Sequence, residues 1–253
     1  MRPIILGLVL GLWLFSWGRA PADELIGPFD LLIELTGETQ SAGQLGVRLQ
    51  NYEQQVQEEQ IELAAGERPE TILAKLLVVL QETLAIHDRH LQFFGKQLLV
   101  QEFFSKEFYS QSVLVLWAVV PGVAIKMRAR SRDTAFLTTA FFTERAYAPG
   151  RIQIRLLPYQ HEPRPTEFAL DVAPYQPGEA LWELFSQQMR AVGWISVVVP
   201  VWGVVVTNLT TEDSVEASTD AVGLGVGLYR LDPESVLYPF GCDNCNQRSN
   251  GGG

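Results

Sequence analysis

The chain predicts an α+β fold in which an N-terminal helical hairpin region packs on a mainly antiparallel β-sheet domain with one inserted helix. Three observations predict it. Apolar residues recur at three- and four-residue spacing before residue 111, they alternate with a period of two after residue 112, and proline and glycine turns punctuate that second stretch. Of the 253 residues, 47% are hydrophobic and 19% charged, a globular composition that excludes extended disorder and collagen-like repeats. The net charge of −10 argues against nucleic acid as a partner.

Residues 1–22 read as a signal peptide. Arg2 precedes the apolar run from Ile4 to Trp17, and Ala20 and Ala22 supply the small side chains of a cleavage site before Asp23. The run is shorter than the roughly 20 residues of a spanning helix, so cleavage is favoured over an uncleaved anchor. The protein is therefore expected to be exported, to a periplasm, an extracellular space or an equivalent lumen. Loss of Arg2 and Arg19 leaves 17 basic against 29 acidic residues, a net charge of −12.

Residues 23–111 are expected to be mainly helical. Glu67-Arg68-Pro69-Glu70 is a helix start, with proline preset for the first turn and glutamates favourable at the positive end of the dipole. Leu73, Leu76, Leu77, Leu80, Leu84 and Leu91 carry an apolar stripe as far as Gly95, and Leu99, Phe103, Phe104 and Phe108 continue it. The glutamine- and glutamate-rich stretch from Leu49 to Leu63 reads as a weaker, antiparallel partner helix.

Residues 112–237 are expected to form the β-rich domain. Ile125, Met127 and Ala129 alternate with Lys126, Arg128, Arg130 and Arg132, and Ile152, Ile154 and Leu156 alternate with Arg151, Gln153 and Arg155. Pro177-Gly178-Glu179 opens a helix near 178–192 with Leu181, Leu184, Phe185, Met189 and Val192 as its apolar stripe. The runs 113–125 and 194–206 are each interrupted by proline and glycine, which favours buried strands over membrane hairpins. Residues 238–253 form a cysteine- and glycine-containing tail.

Charge placement is the most informative functional signal. Residues 23–110 carry 15 acidic and 6 basic residues, whereas residues 126–164 carry 8 basic and 3 acidic ones. Lys126, Arg128, Arg130 and Arg132 share one strand face and make a stripe about 20 Å long, which Arg151 and Arg155 extend if the hairpins are neighbours. Such a face suits an acidic protein face or another anionic surface as partner, because guanidinium forks bind carboxylates and phosphates in bidentate fashion. The plainer alternative is solvated strand positions with some salt bridges to the acidic helices.

Other chemistry is weaker. His87 and His90 share a helical face at the spacing of a two-ligand metal site, against which solvent-exposed histidines are the simpler reading. Cys242 and Cys245 can close a small disulfide ring in an oxidising compartment; the eight residues after Cys245 offer no helix for a redox pair. The acidic stretch Thr210 to Glu216 lacks the ligand spacing of a calcium loop and reads as a solvated turn. Gly223, Gly225 and Gly227 lack a glycine at the third position of a nucleotide fingerprint, where Leu228 stands, and read as close strand packing. Nucleophile and phosphate-loop signatures are absent. The expectation is an exported, non-enzymatic binding or assembly protein without a cofactor. The alternatives are a membrane-associated subunit of a larger complex, with peripheral attachment through its apolar segments, and a hydrolase using scattered carboxylates.

Overall fold

The computed structural model describes residues 26–27, 29–50, 56–82, 90–104, 113–130, 137–157, 164–199, 203–206 and 213–231. Seven of the strands are β1 (Leu31–Gly37), β2 (Gly43–Gln50), β3 (Val56–Leu63), β4 (Leu91–Phe94), β5 (Gln97–Val100), β6 (Val113–Ala118) and β7 (Val123–Arg130), with helix α1 (Pro69–Glu82) between β3 and β4. Seven more follow: β8 (Leu137–Glu144), β9 (Gly150–Leu157), β10 (Glu167–Val172), β11 (Ser196–Val199), β12 (Gly203–Val206), β13 (Ser214–Thr219) and β14 (Leu224–Leu231). Between β10 and β11 lie a 3-10 turn, Gly178–Leu181, and helix α2 (Trp182–Ala191).

The class is therefore mainly β, and the expected N-terminal helical hairpin is absent. The acidic stretch read as its first helix is the end of β2 and the whole of β3, paired antiparallel from Gly43↔Leu63 to Gln50↔Val56. Glutamate and glutamine favour helices in isolation, but β3 is an edge strand, and pairing with β2 overrides that weak preference. Exposure of most of its side chains leaves Ile61 and Leu63 as its inward residues, so no clean alternation marks it. Among the described residues the stripe from Leu73 is helical as far as Glu82; Leu84 and Phe108 lie outside them, Leu91 and Leu99 lie on strands, and Phe103 and Phe104 on a turn.

The strands form two antiparallel seven-stranded sheets. The first has the order β10-β9-β13-β7-β1-β5-β4 and the second β11-β12-β8-β14-β6-β2-β3. Their inner faces meet in one apolar core that includes Ile33, Leu35, Ile125, Met127 and Ile154 from the first sheet and Leu45, Val47, Leu116, Phe142 and Val226 from the second. Helix α1 packs against β1 and β5 on one side and β3 on the other, and α2 against β10, β11 and β12, so each helix closes one flank of the sandwich. The apolar runs 113–125 and 194–206 contribute β6, the start of β7, β11 and β12; among the described residues, no helix is long and apolar enough to cross a membrane.

The fold is an internal duplication. If each strand from β1 to β7 is replaced by the strand seven places later, and the reverse, the order of the first sheet becomes that of the second read backwards. Helix α1 matches the 3-10 turn plus α2, with buried Ile72, Leu73, Leu76 and Leu80 answering to Leu181, Trp182, Phe185 and Met189. Gly43, Arg48 and Leu49 recur as Gly150, Arg155 and Leu156, and the cross-strand pair Arg48↔Glu58 recurs as Arg155↔Glu167. The connections repeat as well. Thr39 N–H donates to Glu67 O at 3.1 Å and Ala146 N–H to Gln176 O at 3.2 Å. The side chains of Glu67 and Gln176 both accept from the backbone three residues earlier, at Ala64 (2.8 Å) and Ala173 (3.0 Å). Left-handed backbone recurs at Gly37 and Glu144, Gly66 and Tyr175, and Gly122 and Gly223. The halves are joined within the sheets, by β7 pairing with β13 in the first and β6 with β14 in the second.

Candidate functional site: the outer face of the first sheet

Strict alternation on β7 turns Val123, Ile125, Met127 and Ala129 into the core and leaves Ala124, Lys126, Arg128 and Arg130 on the outer face. β9 lies two strands away, with β13 between, so Arg151 and Arg155 share that face with the β7 cations. Arg132 lies outside the described residues.

Most of the cations are committed to carboxylates. Glu216 on β13 stands in one row with Arg128 and Arg155. It is only 2% exposed, and it accepts from Arg128 at 2.6 and 3.1 Å and lies 3.5 Å from Arg155. Arg155 also meets Glu167 at 3.4 Å. Lys126 lies 3.3 Å from Glu34, which also accepts from Gln97 at 3.0 Å. Arg130 Nε donates to the carbonyl of Ile26, whose side chain packs with Leu32 and Leu99 on this same face. Glu216 was expected on a solvated acidic turn; it is a strand residue, and the arginines on both neighbouring strands explain its burial.

One part of the face stays open. A surface concavity of about 170 Å³ lies where β1, β7, β13 and β9 end, lined by Thr36, Lys126, Arg151, Gln153, Ser218 and Asp220 among others. The Asp220 carboxylate faces the backbone, accepting Arg151 N–H at 2.5 Å, while the exposed Arg151 makes no side-chain ion pair among the described residues. The lining thus offers two hydroxyls, an amide and the Arg151 guanidinium, while Lys126 is shared with Glu34 and Asp171 stands across from Arg151 on β10; Arg151 is the group here that can meet an oxyanion.

The matching place on the second sheet is closed. Trp117 stands where Ser218 does, Gly46 answers to Gln153 and Gln44 to Arg151; the seam register is shifted by two, so that Lys126 pairs with Ser218 whereas Gly227, its counterpart in the repeat, pairs with Val115. The indole lies so tightly over Gly46 that a Cβ there would come within 2.0 Å of a ring carbon, and Arg48 caps the ring at 5.1 Å. Burial opposes the Arg48 charge, but hydrogen bonds to Glu58 and Glu144 outweigh it and hold its pKa above the ordinary value. Gly225 and Gly227 are close-packed too, against Thr143 and Val115 and against the backbone of Leu114 respectively.

The remaining candidates separate from this face. His90 is buried beside the β4–β5 hairpin, its Nδ1 3.5 Å from Glu102, whose N–H donates to Asp30 at 2.9 Å. His87, Cys242 and Cys245 lie outside the described residues, among which no group of three metal-ligating side chains occurs. The plainer sequence reading allowed ion pairs to the acidic N-terminal part, and Lys126 with Glu34 is one, but on a strand and not a helix; Glu216 as the shared partner of Arg128 and Arg155 was missed. Sequence reading also missed the duplication, whose signal is the recurrence of glycine, arginine and leucine at Gly43, Arg48 and Leu49 and at Gly150, Arg155 and Leu156. No protein-family model matches the chain, and no curated protein or solved structure shows significant similarity to it.

Proposed function

We propose that the protein is an exported, non-enzymatic binding or assembly protein that engages an acidic partner through the outer face of the first sheet. The concavity flanked by Lys126 and Arg151 is the contact point. One observation carries this reading: the duplicated fold fills the equivalent place on the second sheet with Trp117 and leaves this one open, with the exposed Arg151 making no side-chain ion pair among the described residues. Arg128 and Arg155 hold the face together through Glu216 and are not the residues to probe.

The test is retention of the mature protein on immobilised poly-L-glutamate across a salt series. Retention at low salt that falls as salt rises, and that Lys126→Glu/Arg151→Glu abolishes, is the expected result. Gln44→Glu, at the twin of Arg151, should retain like the parent. Equal retention of the double reversal, at an unchanged melting temperature, would reject the proposal.

A further inference from the structure

We infer that the partner is an acidic polypeptide, anchored by Tyr147 and Tyr175 at the end of the sandwich where the concavity opens. This rests on the acidic-partner reading above and adds the class of the partner and the residues that grip it.

The β8–β9 connection runs along the β13–β14 turn that supplies Asp220 to the concavity. Tyr147 N–H donates to Val222 O at 2.7 Å, and Asp220 N–H to Arg151 O at 3.1 Å. Tyr175 N–H donates to Ala146 O at 2.7 Å, which brings the β10–α2 connection alongside. The Tyr147 ring lies against Gly223, where a Cβ would come within 2.3 Å of it, yet the residue is 59% exposed; Tyr175 is 70% exposed.

Tyr175 is costly where it stands. Its φ is +66°, a left-handed conformation that strains a residue bearing a Cβ, and the duplicate position holds Gly66 at φ +75°. A side chain so exposed makes little contact to offset the strain, so packing does not explain the tyrosine.

The neighbouring positions diverge in the same sense. Tyr147 stands where the other half has Gln40, and exposed Arg145 stands where it has Glu38. The second-half loops thus carry two tyrosines and a cation where their twins carry glutamine, glycine and a carboxylate. Tyrosine gives a large, amphipathic contact area at small entropic cost and is enriched at protein interfaces. Arg145 and Arg151, both exposed and making no ion pair among the described residues, lie on the connections that carry these tyrosines and can meet the carboxylates of a chain seated on them.

The test transplants the first-half residues onto the second as Arg145→Glu/Tyr147→Gln/Tyr175→Gly. Binding is followed by anisotropy with a labelled glutamate-rich peptide carrying leucines at intervals, against poly-L-glutamate and polygalacturonate. The parent should prefer the leucine-bearing peptide. The triple variant should bind that peptide about tenfold more weakly. Tyr175→Gly alone should weaken binding while melting no lower than the parent. Unchanged peptide binding by the triple variant would overturn the inference while leaving the acidic-partner reading intact. A stronger, tyrosine-dependent preference for polygalacturonate would overturn the polypeptide assignment. Insensitivity of every probe to Lys126→Glu/Arg151→Glu would overturn the acidic-partner reading itself.

Discussion

Trp117 and Ser218 occupy the same place on the two sheets of a duplicated fold, and around them the outer faces have diverged in opposite directions. On the second sheet the tryptophan lies on glycine and is capped by Arg48; on the first, the serine leaves an open hollow above a row of ion pairs. The backbones, the left-handed turns and even the ion pair of β2 with β3 are kept. The difference teaches that the scaffold is satisfied by either solution. The hollow beside Ser218 is thus not required by folding, in contrast to the Glu216 row next to it.

The largest expected effect sharpens that contrast at Glu216, which stands where the other half has Val115. Glu216→Ala leaves Arg128 and Arg155 facing each other without their shared carboxylate and should cost about 3 kcal/mol in urea unfolding. A loss below about 1 kcal/mol would mean that the row is solvated rather than structural. Next, Gly46→Ala should destabilise by about 2 kcal/mol, because a Cβ collides with the Trp117 ring. Gln153→Ala, at the twin position, should stay within about 0.5 kcal/mol by the same measurement. If both substitutions cost the same, the two faces are less different than their geometry indicates.

Smaller effects test the connections. Gly66 has φ +75° and open space around it, so Gly66→Ala should cost about 1 kcal/mol through backbone strain alone, read as a lowered melting temperature. The smallest is a pH effect. Glu67 is buried, which by itself would raise its pKa, but hydrogen bonds from Lys75 and from Ala64 N–H outweigh burial and hold it below the ordinary 4.5. A carboxylate with a depressed folded pKa stabilises above its unfolded value and loses that contribution as pH falls through the folded one. Glu67→Gln imports the Gln176 solution of the other half. It should flatten the acid limb of a melting-temperature profile below pH 4.5 and leave the neutral region slightly lower. An unchanged acid limb would show that Glu67 does not set it.

The stretch from residue 113 onward was the more legible in sequence because its strands alternate. On β7 and β9, apolar and basic residues take turns, and their faces follow from a period of two. The stretch before residue 105 hides this pattern at both extremes. Leu31, Leu32 and Ile33 form a continuous apolar run because Leu32, on the outer face, is covered by Ile26, while β3 is polar almost throughout because it is an edge. Neither pattern announces a strand, and glutamates and leucines at irregular spacing imitate a helix. The candidate face was legible as a set of cations, but the identity of their counter-charges was not. Glu216 sits in an acidic run that local sequence marks as a turn, and Glu34 lies far from Lys126 along the chain. Both partnerships depend on strand order.

The seams between the halves carry a further consequence. β7 zips to β13 and β6 to β14, so neither half owns a complete sheet, and each alone would present its two central strands unpaired. A single half would need a second copy to cover those edges. A symmetric pair of that kind would carry the same side chains in both hollows; within one chain the two places can differ, as Trp117 and Ser218 do.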